Sequence, residues 1–204
     1  MGGSSSHWAI GAIVHPWPEE LIEQLHAVFE GLVSECKRHR TAQEFHFNEV
    51  TLGTVRHFIK ALDCLQKDPD WRFFSVVVDL NDPLFEKPND AKGAWACYLR
   101  WIKLMLCRNL RPEEKTTLLA DFQHRPKGSA HKLATLPAVV PQLWDVIQLE
   151  SHGVLLIQMA DVLLAGSLYK GVSACKKQLA DRVNALRKAV GKARFNEWRV
   201  RWDK

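Results

Sequence analysis

The chain has no Cys-x-x-Cys pair. Its five cysteines, Cys36, Cys64, Cys97, Cys107 and Cys175, stand singly and carry no metal-type histidine spacing beside them. They read as small buried hydrophobes in a reducing compartment, which excludes a disulfide framework or a zinc-finger site. No run of about 18 apolar residues occurs. The opening MGGSSSHW has neither a basic n-region nor an apolar h-region, so neither a membrane span nor a secretory signal is expected, and the cytoplasm is the expected location. The Walker pattern Gly-x-x-x-x-Gly-Lys-Ser/Thr is missing, as are Gly-x-Gly-x-x-Gly, His-Glu-x-x-His and Gly-x-Ser-x-Gly. Their absence argues against P-loop enzymes, dinucleotide enzymes, zincins and ordinary α/β-hydrolases. Internal repeats and low-complexity tracts are also lacking.

What is present is a chain of 204 residues, 47% hydrophobic and 25% charged. A chain of this length buries roughly 70% of its unfolded surface, enough for a core without metal or disulfide staples. The formal net charge is +5, but it is unevenly spread. Lys176 to Lys204 holds ten basic and three acidic residues, whereas residues 1 to 175 hold 18 basic and 20 acidic ones. The basic character therefore belongs to the end of the chain. The expected organisation is an α/β domain over residues 1–172, with residues 173–204 as a basic, amphipathic, helical extension of it.

Hydrophobic periodicity supports an α/β class. His7 to His15 reads as a buried strand closed by Pro16 and Pro18. A helix is expected from Glu19 to near Arg38, with Leu21, Ile22, Leu25, Val28, Phe29, Leu32 and Val33 on its inner face and acids in its first turn. Glu44 to Phe47 alternates polar and aromatic residues, as a short strand or extended turn would. The pattern then predicts a helix from about Thr51 to Gln66 with Leu52 in its apolar stripe, a strand over Arg72 to Leu80, and a helix from about Asn89 to Asn109. Lys115 to Ala120 reads as a strand delivering Asp121. The polar loop FQHRPKGSAHK follows, then an edge strand over Leu143 to Leu149, a helix from about Gly153 to Lys170, and a basic helix beyond Ser173.

Acids at strand ends and on one apolar helix are the candidate chemistry. Asp161 lies within GVLLIQMADVLLAG, with Gln158 three residues earlier on the same helical face. A helix apolar nearly all round is expected to be buried, and a carboxylate there needs a partner or a metal. The alternative is a solvent-facing stripe or a pairing with an arginine. Asp121 and Asp79 follow β-forming runs, where open α/β sheets place their sites, but Asp also ends strands as a turn former. For Asp79, followed by Asn81, Asp82 and Pro83, the turn reading is preferred. Glu44 and His46 share one face of an extended segment, as a pair of metal ligands or as a surface histidine beside an acid.

The segment LLIQMADVLLAG resembles the Leu-Gln-apolar-Ala-Asp-apolar-apolar-Ala-Gly helix of the bacterial domain-of-unknown-function family DUF 3800, whose members are similar to ribonuclease H in fold. WAIGAIV, EFHF and TTLLAD resemble the family's second strand, its Glu-bearing segment and its later Asp-ending strand. The resemblance implies a ribonuclease-H-like mixed sheet flanked by helices. It nominates Glu44, Asp121 and Asp161 as metal-binding catalytic carboxylates, with His46 and Gln158 as neighbouring or substrate contacts. In such a cluster two Mg²⁺ or Mn²⁺ ions about 4 Å apart serve phosphodiester hydrolysis. Two like charges at that distance repel by roughly 4 kcal/mol at an effective dielectric of about 20, so converging acids require cations.

The family's opening strand carries an Asp-Glu-Ser-Gly motif that is not found in this sequence. Two accounts stay open. Either the natural protein begins earlier and carries that strand, or this is a degenerate member without complete metal chemistry. The first strand, and one metal ligand with it, is expected to be missing, so these residues alone are expected to give weak or no nuclease activity. A second copy or a protein partner is a candidate source of the missing strand. The functional alternative is a catalytically incomplete module of a bacterial defence or mobile-element system that binds nucleic acid or protein.

The basic end places Leu179, Val183, Leu186 and Val190 at helical spacing, as an amphipathic helix for which Gly191 is a candidate break. Phe195, Trp198 and Trp202 continue an aromatic stripe among Arg194, Arg199 and Arg201. One reading is a surface that tracks phosphates and stacks unpaired bases, with those three arginines as substrate contacts. The other is a helix docked on the domain through its apolar stripe, with a solvated basic face.

Overall fold

A computed structural model describes residues 7–39, 44–81, 88–130 and 132–200. Its elements are strand β1 (His7–Val14), helices α1 (Glu19–His39) and α2 (Val55–Lys67), strand β2 (Arg72–Asp79), helix α3 (Ala91–Asn109) and strands β3 (Thr116–Asp121) and β4 (Leu143–Leu149). Helices α4 (Leu155–Leu168) and α5 (Ala174–Val190) and strand β5 (Phe195–Arg199) complete the order. One sheet has the order β1-β2-β5, and β3 pairs with β4 in parallel. The chain is thus mixed α/β. No helix among the described residues is long and apolar enough to cross a membrane.

Two compact units divide the chain. The first takes the described residues of Met1–Ile10, Phe74–Glu150 and Glu197–Lys204; the second takes Gly11–Phe73 and Ser151–Asn196.

In the second unit α1, α2, α4 and α5 pack on one another. Leu21, Leu25 and Leu32 of α1 meet Phe58, Leu62 and Leu65 of α2, Met159, Val162 and Leu163 of α4, and Leu179, Val183 and Leu186 of α5 in one core. These are the i, i+3, i+4 positions that a 3.6-residue period places on one face. Gly166 lets α4 approach α5 closely, because a Cβ there would stand 2.7 Å from Val183 Cγ2. Charged pairs fasten the helices at their ends. Arg182 of α5 holds Asp63 at 2.5 Å. Glu35 of α1 meets His57 and Arg56 of α2, each at 2.6 Å, and His15 meets Asp68 at 2.8 Å.

In the first unit α3 buries Trp95, Leu99, Trp101, Ile102, Met105 and Leu106. Arg108 lies over the Trp198 ring, 3.9 Å from its centroid, and Trp101 packs beside that ring. β3 and β4 register Leu118 with Val146 and Asp121 with Leu149.

Several expectations are corrected. The helix expected to run on past Ser173 ends at Val190, where Gly191 adopts φ +71 and its N–H closes on the Arg187 carbonyl. A left-handed glycine terminates a helix and turns the chain, so Phe195–Arg199 extends as β5 instead of continuing the aromatic stripe. Trp202 lies outside the described residues. Glu44 to Phe47 is irregular and leads into a single 3-10 turn, Phe47–Glu49. Leu52 is 82% exposed in the turn before α2, where Thr51 and Thr54 exchange backbone-to-hydroxyl bonds and delay the helix to Val55. Ile22 of the expected inner face of α1 is exposed. Cys64, Cys97, Cys107 and Cys175 are free thiols, but none is fully buried and Cys107 is exposed. Asp79 accepts the Asn81 N–H at 2.9 Å, the turn preferred from the sequence; Asp82 and Pro83 lie outside the described residues.

Gly166→Ala should lower stability by about 1–3 kcal/mol in urea denaturation, since the added methyl meets the branched Val183 side chain. Gly153→Ala is the control, because a Cβ there meets nothing within 4 Å.

The carboxylate pairs predict acid sensitivity. Burial alone would raise the Asp68 carboxyl, but hydrogen bonds from His15 and the Asp70 N–H outweigh it and hold the group below its ordinary value. The His57 and Arg56 bonds lower Glu35 likewise. A carboxyl depressed in the folded state stabilises above its unfolded pKa, about 4, and loses that contribution as pH falls through the folded value. The melting-temperature advantage of the natural protein over Asp68→Asn should therefore be full near neutrality and shrink below about pH 4. An advantage unchanged at about pH 3 would contradict this.

Candidate functional site

Helix α4 carries the candidate residues on its LLIQMADVLLAG stretch. The polar side chain it buries is Gln158, 3% exposed, and not the carboxylate. Its Oε1 accepts the Phe45 N–H at 2.8 Å, while its Nε2 donates to the carbonyls of Ser151 at 2.9 Å and His152 at 3.1 Å. A primary amide is the side chain that offers an acceptor on one arm and two donors on the other, so its orientation is fixed by its partners. Three backbone groups of two different segments are thereby satisfied from one point on α4.

One turn further along, Asp161 lies at the edge of the same contact. Its Oδ2 accepts the Phe47 N–H at 3.3 Å and stands 3.8 Å from His46 Nε2. The carboxylate is 43% exposed, so it is a half-solvated acid on the rim of an apolar helix. That position matches the solvent-facing alternative, with a histidine and a backbone N–H in place of the arginine. His46 Nδ1 accepts the Asn48 N–H at 3.3 Å, which leaves Nε2 turned toward Asp161. Behind them Phe45 is buried against Phe58 and Phe29, and Phe47 packs on Tyr169. Glu44 precedes this anchored stretch, half-buried, and its carbonyl accepts the His46 N–H at 3.0 Å. The second unit therefore brings together Gln158, His46 and Asp161, with Glu44 at the head of the same segment.

Asp121 belongs to the first unit, at the end of β3. Gln123 Nε2 lies 3.5 Å from its Oδ2. The Tyr98 phenol of α3 is pushed up to about 12, by burial first and by the negative charge of Asp121 second. Trp8 and Trp95 flank Tyr98 with ring centroids 6.3 and 5.5 Å away.

Two of the three arginines expected to touch substrate, Arg194 and Arg199, are engaged within the fold. Arg194 donates to the carbonyls of Trp71 and Asp68, and its guanidinium lies over the Trp71 ring. Arg199 pairs with Glu197 at 2.8 Å. Arg201 lies outside the described residues. Phe195 is buried against Phe73, and Trp198 packs between Trp101 and Arg108, so both rings already have partners. For Phe195 and Trp198 the structure matches the packing alternative.

Sequence reasoning missed Ser151 and His152. Their contribution is through backbone carbonyls, which leave no side-chain signature. Among the described residues, no three His, Cys, Asp or Glu side chains form a group that could hold a metal ion. At the candidate site the Asp161–His46 pair supplies two donors, where a closed divalent site asks for more oxygens. Within the second unit these two donors alone do not make up a two-ion centre.

Comparison with protein-family models, curated proteins and solved structures gave no match to this chain.

Gln158→Leu should destabilise the protein by about 2–4 kcal/mol, because it strands three backbone groups in a buried contact. Asp161→Asn keeps an acceptor for the Phe47 N–H and should cost less than about 1 kcal/mol. Chemical denaturation of the two variants side by side measures the contrast, and equal losses would refute the division of labour.

Proposed function

We propose that this chain is a ribonuclease-H-like protein of the nucleic-acid-binding kind, without a complete hydrolytic metal centre in its own residues. The observation that carries the reading is the state of Asp161. The helix motif that resembles DUF 3800 presents its acid half-exposed beside His46, on a frame that Gln158 makes rigid. A carboxylate kept at the rim of an otherwise apolar helix is available to solvent and ligand, and the resemblance supplies nucleic acid as the ligand class. The excess of basic over acidic residues supports the same class, since cations that neutralise phosphates release counterions. The reading places the protein in the cytoplasm, in keeping with its free thiols.

Metal-dependent hydrolysis through Glu44, Asp121 and Asp161 is the second reading, favoured by the exposure of Asp161. In that case Glu44 and Asp161 would contribute carboxylate oxygens toward Mg²⁺ or Mn²⁺, whose chemistry would be Lewis-acid help to phosphodiester hydrolysis. A partner strand or a second copy would have to add the ligands that the described residues lack.

Purified protein should bind labelled DNA or RNA at low salt and weaken as salt rises, with little or no cleavage when Mg²⁺ or Mn²⁺ is added. Absence of binding to single- and double-stranded forms of both would overturn the proposal. Metal-dependent cleavage abolished by Asp161→Asn would replace it with the second reading.

A further inference from the structure

Four of the cations counted at the end of the sequence are engaged: Arg182 holds Asp63, Arg187 lies over Phe195, Arg194 holds the Trp71 and Asp68 carbonyls, and Arg199 pairs with Glu197. A different set stands apart, in the first unit, on the segment that leaves β3. Residues 122–132 read FQHRPKGSAHK, with Arg125, Lys127 and Lys132 as fixed cations and no acid. Among the described residues no carboxylate forms an ion pair with any of these three or with Lys92.

The geometry of the segment is built. Phe122 begins it at the shared end of the parallel pair, its N–H bonded to the Leu149 carbonyl at 2.9 Å. Its ring is 43% exposed and is met edge-on by the His124 imidazole, with centroids 5.1 Å apart. The chain then turns. Ser129 N–H bonds to the Pro126 carbonyl at 3.1 Å, Arg125 Nη1 reaches the Ser129 carbonyl at 3.4 Å, and Gly128 takes φ +78. Lys92, in the first turn of α3, lays its ammonium against that turn, 3.2 Å from where a Gly128 Cβ would stand. A side chain at residue 128 would thus be strained by the backbone and crowded by the lysine.

Cations gathered without intervening acids concentrate a polyanion locally. An exposed, braced aromatic ring beside them is the complement of single-stranded nucleic acid, in which every unpaired base offers a face for stacking while the phosphates follow the charges. The place is also suitable, since ligands of α/β sheets bind beyond the carboxyl ends of the strands. The acids that flank the loop are Asp121 at the end of β3, Glu150 just past β4, and Asp90, whose carboxylate is taken up in capping α3 at the Gly93 N–H.

We propose that residues 122–130, with Lys92, form a single-strand-binding loop in which Phe122 stacks a base and Lys92, Arg125 and Lys127 contact phosphates. The proposal rests on the nucleic-acid reading above and names the surface that carries it.

The test is fluorescence anisotropy of the full chain with labelled oligo(dT) and oligo(U) of about 16 nucleotides, across a salt series. Arg125→Ala/Lys127→Ala should reduce the magnitude of the salt slope by about 1.4, at about 0.7 per lost phosphate contact on a single strand. Phe122→Ala should weaken binding at least about 5-fold with the slope unchanged, and Phe122→Tyr should restore it. Lys177→Ala/Lys188→Ala, on α5, is the charge-matched control and should match the natural protein. Circular dichroism melts of each variant confirm that the fold is kept.

If the natural protein binds and the loop variants bind equally well, the loop assignment is overturned while the nucleic-acid reading stands. Absence of binding by the natural protein overturns both. A duplex bound as tightly as the single strand, with Phe122→Ala silent, overturns the stacking role. Loop variants that lose binding to phosphatidylserine vesicles but not to oligonucleotides would assign the surface to a membrane and overturn the proposal.

Discussion

The second unit depends on one amide. Gln158 sits in the most apolar helix of the chain, and its burial is tolerable because each arm of the amide meets a backbone partner. A buried polar group without partners costs a few kcal/mol, whereas a satisfied one fixes the segments it touches. Those segments are Phe45–Phe47, which places His46 beside Asp161, and Ser151–His152, which leads the chain into α4. The position of the candidate acid is thus a consequence of a neutral neighbour three residues away. The carboxylate itself could stay at the rim because it was not needed to hold the segment down.

A second theme is the separation of charge from availability. The sequence concentrates cations from Lys176 onward, and the fold engages several of them: Arg182 on a carboxylate, Arg194 on backbone carbonyls and Arg187 over an aromatic ring. A guanidinium stacked on tryptophan and bonded to two carbonyls has little left to offer a phosphate. Three formal charges on an acid-free loop can matter more for a polyanion than guanidiniums already held by a carboxylate, a carbonyl or a ring.

The helices and the strong strands were legible because burial imposes a period. α1, α2, α3 and β2 follow from the spacing of Leu21, Leu25 and Leu32, of Phe58, Leu62 and Leu65, of Leu99, Ile102 and Leu106, and from the run of Phe73 to Val78. β5 was hidden because Phe195 and Trp198 fit a helical spacing as well as a strand, and a single left-handed residue, Gly191, decided between them. Leu52 was misplaced for a similar reason: the Thr51–Thr54 bonds form a local turn that outcompetes one more helical turn. At the candidate site the residues were legible, but their duties were not. Gln158 and Asp161 share a helical face, and nothing in their spacing tells which one is buried.

The sequence by itself determined the mixed α/β class, the apolar faces of its helices, the lack of the common nucleotide and zinc motifs, and the uneven distribution of charge. These are properties of residue type and spacing, which local periodicity and composition carry in full. Tertiary structure alone decided that Gln158 is the buried clip and Asp161 the half-exposed acid, that Arg182, Arg187, Arg194 and Arg199 are engaged, and that Lys92 meets the loop after β3. Each of these outcomes depends on which distant backbone or side-chain group arrives within hydrogen-bonding or van der Waals reach. Such partners are set by how helices and strands pack, and no spacing along a single chain encodes them.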